Sequence, residues 1–223
     1  MPYLSKVPIN RARREAHKLL GSPQAMHAAV MSSFPPTAHE WSGRILWRVD
    51  EFGPTTSLIV VSPCRPDFTS LIQQAGWPHS DQEPWVTRDY QQLLDRIAVG
   101  GVWRFRLQGN PVHSPKAVGK RVAHVTADRQ RDWLINRTIG HGFSIPLSLA
   151  GGDSSEVPEV VVSNRRTRKF RRGDSTVTIA TAQFDGLLTV VDAGTFRRAL
   201  LGGIGRAKGY GCGLLTITQP QSL

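Results

Sequence analysis

Apolar and polar residues alternate with period 2 along Val102-Trp-Arg-Phe-Arg-Leu, whereas Ala25, Met26, Ala29, Val30 and Ser33 recur at helical spacing. Between them, these two rhythms divide the chain into strands and helices. Tyr3, Leu4, Val7 and Ile9 predict a short first strand, and the basic segment Arg11 to Lys18 reads as a solvated connector or a helix. Ser22-Pro23 is a helix start, with Ser as N-cap and Pro at the first helical position, and Phe34-Pro35-Pro36 ends that helix. Arg44 to Asp50 and Ser57 to Ser62 predict two strands joined by a Gly53-Pro54 turn. A short helix capped by Asp67 runs to Gln74, and Val86 to Gln91 completes the series. Strand, helix, strand, strand, helix, strand is the split βαβ order of a ferredoxin-like domain.

Val99-Gly100-Gly101 marks a boundary, after which the same order begins again, elaborated by one hairpin. Val102 to Leu107 puts core residues on one face and Arg104 and Arg106 on the other. Thr126 to Gly140 predicts a helix with Trp133, Leu134 and Ile139 on its buried side. Strands are expected at Ser144 to Leu149, Glu159 to Ser163, Thr176 to Phe184 and Leu187 to Asp192, the last two joined by a tight turn at Asp185-Gly186. A helix from Thr195 to Leu201 and a strand from Leu214 to Thr218 flank a glycine-rich loop. The expected fold class is α+β, with one domain over residues 1–98 and a second over 99–223.

Charge narrows the function. The 223 residues carry 28 Lys+Arg against 17 Asp+Glu, a formal net charge of +11 that favours a polyanionic partner such as nucleic acid. No apolar run is long enough to span a membrane, the N-terminus lacks a secretory signal pattern, and the expected compartment is the cytoplasm. Cys64 and Cys212 lie far apart, and the seven histidines show no metal-ligand spacing, so neither a disulfide framework, a metal nor a cofactor is expected.

Three stretches can carry chemistry. The loop from Gly202 to Gly213 holds Gly203, Gly205, Gly209, Gly211 and Gly213 with Arg206 and Lys208 between them. It is either a turn that closes a sheet or an anion site of backbone N–H groups reinforced by two cations. It runs from helix to strand, which excludes the Walker A and dinucleotide loops. Arg165, Arg166, Arg168, Lys169, Arg171 and Arg172 crowd eight positions between two strands, as either a solvated loop or a positive finger at a hairpin tip. Lys116, Lys120 and Arg121 form a second cluster in an expected loop. His27 sits on the helix that starts at Pro23, one step off its apolar stripe. It is either a surface or half-buried side chain, or the proton-transfer group of a metal-free reaction on nucleic acid.

Arg44-Ile-Leu-Trp-Arg-Val, Ser62-Pro-Cys-Arg-Pro-Asp, Trp103-Arg-Phe-Arg-Leu-Gln-Gly-Asn-Pro, Gly119-Lys-Arg-Val-Ala-His, Phe184-Asp-Gly and the whole of Phe196 to Leu215 bear a family resemblance. Together they resemble the CasE-type CRISPR repeat endoribonuclease, the RNA-processing subunit of the type I-E Cascade complex. The resemblance covers nearly the full chain. It implies two ferredoxin-like (RRM-like) domains with a basic groove, a CRISPR repeat hairpin RNA as substrate, and metal-independent cleavage at the 3′ base of the stem. It also implies that the guide RNA product stays bound among the other Cascade subunits. The family's catalytic histidine falls on His27, and the tyrosine common three residues earlier is replaced here by Gln24. The family's glycine loop lies close to RNA, which implies phosphate contacts from Arg206 and Lys208. The competing expectation is a non-catalytic RNA-binding protein on the same two domains, in which His27 is structural.

Overall fold

In the computed structural model, which describes residues 1–37, 43–79, 81, 83–114, 122–149 and 156–220, each half of the chain builds its own antiparallel sheet. The first half runs β1 (Tyr3–Ile9), α1 (Arg14–Gly21), α2 (Pro23–Met31), β2 (Leu46–Phe52), β3 (Thr55–Ser62), α3 (Thr69–Ala75), β4 (Val86–Asp89) and α4 (Gln91–Leu94). Its sheet has the order β2-β3-β1-β4. Strand pleating sends Ser5, Val7 and Ile9 to one face, where Val7 and Ile9 meet Ala16 and Leu19 of α1, Met26 and Val30 of α2, and Leu71 and Ile72 of α3.

The second half runs β5 (Val102–Gly109), β6 (Val112–His113), β7 (Val122–Ala123), α5 (Ala127–Thr138), β8 (Phe143–Ser144), β9 (Leu147–Leu149), β10 (Glu156–Pro158), β11 (Val160–Arg172), β12 (Ser175–Val190), α6 (Ala193–Gly202) and β13 (Leu215–Thr218). Its main sheet repeats the first pattern as β11-β12-β5-β13, with β8 added beside β12. Phe143, Phe184 and Phe196 are fully buried there, each contributing about 1.5–3 kcal/mol of transfer free energy. The same core takes in Leu46, Val61, Tyr90, Leu94 and Ile97, so apolar packing continues from one half into the other.

A buried arginine ties the halves together. Arg48 of β2 is 2% exposed; it donates to Asp50 at 2.5 and 2.8 Å, to the Arg106 and Leu214 carbonyls at 2.9 and 3.0 Å, and to Thr216 Oγ1 at 2.9 Å. A guanidinium removed from water needs its donors matched in this way, because an uncompensated buried charge is strongly destabilising.

Several expected elements take a different form. No turn exists at Asp185-Gly186: β12 runs straight through, with Gly186 opposite both Val160 and Phe105. Glycine is required there because a Cβ would lie 2.1 Å from the Glu159 carbonyl oxygen, so the residue marks a close backbone approach and not a bend. The hairpin reverses instead at Gly173, φ +57°, which makes the basic run of 165–172 a strand. Ile139 lies beyond the end of α5 and is 68% exposed. The expected strand over 144–149 is split between β8 and β9.

Candidate nucleic-acid interface

Ser22 accepts a hydrogen bond from the Ala25 amide at 3.3 Å and Pro23 opens α2, so the helix begins where the sequence places its cap. Met26 and Val30 anchor the inner stripe, and His27, one position on, is turned towards the glycine loop. An added Cβ on Gly209 would lie 3.7 Å from both Cε1 and Nε2 of the His27 ring. The half-buried imidazole has its Nδ1 out of solvent with no hydrogen-bond partner among the described residues. Burial therefore holds the His27 pKa below the usual histidine value, since desolvation penalises the imidazolium. Gln24, also half-buried, lies one helical turn before His27 and so shares its side of α2.

The glycine loop leaves α6 at Gly203 and enters β13 after Leu214, closing on itself where the Ile204 amide donates to the Gly213 carbonyl at 2.9 Å. Gly203, Gly205, Gly211 and Gly213 all have positive φ; Gly209 does not, and it sits in a 3-10 turn over Lys208–Tyr210. Gly211 is the tightest of them against an aromatic ring: its φ is +80°, and a Cβ would lie 2.7 Å from Cζ3 of Trp47. Arg206 is exposed at the bend, while Lys208 is half-buried. Burial, helped by repulsion from Arg44, pulls the Lys208 pKa below its ordinary value. An anion at the loop would relieve both effects by favouring the charged amine.

The basic run on β11 is divided by strand pleating. Phe170 points inward and meets Tyr210 of the loop edge-on, ring centroids 4.8 Å apart. Arg168, two residues before it on the same face, is half-buried, with Nη1 3.4 Å from the Leu20 carbonyl at the end of α1. Arg166 pairs with Glu51 at 3.3 Å. Lys169 and Arg171, on the opposite face, and Arg172 near the hairpin turn are exposed; Arg165 donates to the Val125 carbonyl. Lys116, Lys120 and Arg121 lie outside the described residues.

The structure thus brings α2 with His27, the Lys208–Tyr210 turn and the groove face of β11 to one seam between the two sheets, with Gln24 one turn earlier on α2 and Arg206 exposed at the bend of the loop. Sequence reasoning missed the other wall of that seam, Trp47, Val49 and Glu51, which lie on the face of β2 opposite Arg48 and Asp50. The alternation of β2 was the signal that would have exposed them. Among the described residues, no three His, Cys, Asp or Glu side chains are grouped so as to hold a metal ion, and no helix is long and apolar enough to cross a membrane.

A cationic loop and arm beside a half-buried histidine form a surface suited to a polyanionic partner. The chain belongs to the CRISPR associated protein family, whose family model matches residues 2–219. It is 25% identical over 215 residues to the CRISPR-associated endoribonuclease Cse3 of Thermus thermophilus, covering 96% of this chain and 99% of that one. It is 30% identical over 148 residues to the CRISPR system Cascade subunit CasE of Escherichia coli, covering 66% of this chain and 72% of the other. Among solved structures it is similar to Thermus thermophilus Cse3 bound to an RNA representing a pre-cleavage complex. That match has a TM-score of 0.79 and 28% identity, over 97% of this chain and 98% of that one.

Proposed function

We propose that this chain is a metal-independent CRISPR repeat endoribonuclease of the CasE type. It cuts the precursor transcript at the 3′ base of the repeat hairpin and keeps the mature guide RNA bound within the Cascade complex. The reading is supported by the relative named as an endoribonuclease and captured on RNA, and by the relative named as a Cascade subunit. We also read the fold as two tandem ferredoxin-like domains, residues 1–98 and 99–223. The strand order common to both sheets, with the first strand between the third and the last, supports that division.

RNA brings its own nucleophile. Attack of the 2′-OH on phosphorus displaces the 5′-oxygen and leaves a 2′,3′-cyclic phosphate, which can open to a 3′-phosphate, and a 5′-OH. The protein has to hold the 2′-OH in line, stabilise the equatorial oxygens and move two protons. His27 donates the proton to the departing 5′-oxygen; Arg206 and Lys208 stabilise phosphate charge; Gln24, which does not titrate, orients the phosphate by hydrogen bonding. Arg165, Arg166, Arg168, Lys169, Arg171 and Arg172 on the β11 arm, with Lys116, Lys120 and Arg121, grip duplex phosphates. An A-form major groove is too deep and narrow for side chains to read.

The observation that carries this reading is the close approach of the loop at Gly209 to the His27 imidazole, with room for no more than a methyl group between them, which sets the proposed proton-transfer group beside the cationic loop. Cleavage of the host's repeat hairpin in excess chelator tests it. The hairpin is cut there, and a 2′-deoxy substitution at the scissile nucleotide abolishes the cut; cleavage of the deoxy substrate at an undiminished rate would overturn the mechanism.

A further inference from the structure

We propose that the recess between the two sheets, beside the glycine loop, reads one unpaired nucleobase of the bound RNA, and that guanine fits it best. The inference rests on the endoribonuclease reading above. The walls are Trp47 and Glu51 of β2, Asn164, Arg166 and Arg168 of β11, and Tyr210, the residue after Gly209. The pocket is therefore one residue along the loop from the contact with His27.

Glu51 sets this recess apart from a surface that grips phosphate. In a chain of net charge +11, its carboxylate stands between two arginines, with Arg166 Nη2 donating to Oε2 at 3.3 Å. A carboxylate repels phosphate, but it accepts hydrogen bonds from the N–H groups of a base edge. Guanine presents two parallel donors, N1–H and the 2-amino group, that match a carboxylate fork. Its other edge presents O6 and N7, the acceptor pair that arginine takes. Uracil offers one donor, and neutral cytosine only its amino group.

Asn164 adds a second acceptor. The β11–β12 register shifts between Ser163 and Arg166, and Asn164 within that bulge has φ +45°. Positive φ is uncommon outside glycine, and bulges beside functional sites re-aim side chains. Asn164 Nδ2 donates to Gln183 Oε1 at 2.9 Å, and Gln183 Nε2 donates to Asp185 at 2.5 Å. This chain of amides fixes the orientation of Asn164 and leaves its carbonyl oxygen to accept.

Two aromatic rings complete the walls. Tyr210 is held edge-on by Phe170, which makes it a rigid platform for stacking a base. Trp47, 3% exposed, supplies the second ring, its six-membered edge set against Gly211. Inside a duplex the Watson–Crick edge is occupied, so the nucleotide read here is unpaired and flanks the stem.

A set of stem-loop RNAs with one common stem tests the pocket. Each unpaired position beside the stem base is set in turn to guanosine, inosine, adenosine or uridine, and each RNA is titrated against the unaltered protein and Glu51→Gln. Inosine lacks only the 2-amino group. At one position, guanosine-to-inosine weakens binding to the unaltered protein by about tenfold, and in Glu51→Gln the same change costs less than about twofold. Asn164→Gly, which removes the amide while suiting the positive φ, reduces the guanosine preference at that same position without lowering the melting temperature. A flat response at every position, or an inosine penalty of full size in Glu51→Gln, overturns the pocket while hairpin cleavage by the unaltered protein stands. Absence of any hairpin cleavage by the unaltered protein overturns the functional reading, and this inference with it.

Discussion

Gly209 and Gly211 meet their aromatic neighbours differently: a Cβ on Gly209 would rest 3.7 Å from the His27 ring, in ordinary contact, whereas one on Gly211 would lie 2.7 Å from Trp47 at φ +80°. Only the second position demands glycine on both conformational and steric grounds. Gly211→Ala should therefore lower stability by on the order of 1 kcal/mol or more, and Gly209→Ala should change it by less than about 0.5 kcal/mol. Denaturant titration of the two variants checks this ordering, and equal losses would contradict it.

The lowered pKa of His27 has a sign that can be read in stability. Below pH about 6.5 the unfolded chain takes up the His27 proton more readily than the folded one. The stability linked to this group is complete above the unfolded pKa and declines as the pH falls through the folded one. His27→Gln should flatten that acid limb in melts from pH 7 to pH 5, and an unchanged limb would place the shift elsewhere.

If RNA phosphates lie beside His27, as proposed, binding should reverse the shift, because nearby anions favour the imidazolium. With His27 as acid, kcat/KM, which reports the free protein, falls with rising pH from a pKa below about 6.5, and kcat falls from a higher one. A rate that climbs with pH across this range would make His27 the base.

Lys169, Arg171 and Arg172 are exposed on the arm, while Arg168 is half-buried against the end of α1. Replacing the four by Ala should weaken hairpin binding and flatten the slope of log K against log salt by roughly 0.7–0.9 for each phosphate no longer neutralised. Arg168→Ala should also lower stability, because the apolar stem of that side chain no longer packs, and the exposed three should not. An unchanged salt slope would assign the arm to a neighbouring protein subunit.

The sequence made some of this site legible, and the physical reasons differ residue by residue. Ser22-Pro23 carries its own N-cap chemistry, so the helix bearing His27 could be placed from local signals alone. The approach of Gly209 to that helix joins opposite ends of the chain, and no local periodicity encodes it. Asp185-Gly186 is a turn by composition, but Gly186 is there to let the Glu159 backbone pass, which only the assembled sheet reveals. The run at 165–172 has a loop's charge and a strand's alternation; the buried Phe170 in its middle was the informative residue. Arg48 and Asp50 look like surface charge in sequence, and their burial follows from the docking of the two sheets.

The most direct test separates binding from chemistry at His27. If this side chain transfers a proton while Arg and Lys side chains across the seam hold the RNA, His27→Ala keeps hairpin affinity within about threefold and slows single-turnover cleavage by about 10² or more. The measurement is the single-turnover rate at saturating protein, paired with a binding titration on the 2′-deoxy hairpin. Cleavage by His27→Ala at the unaltered rate would contradict the assignment outright.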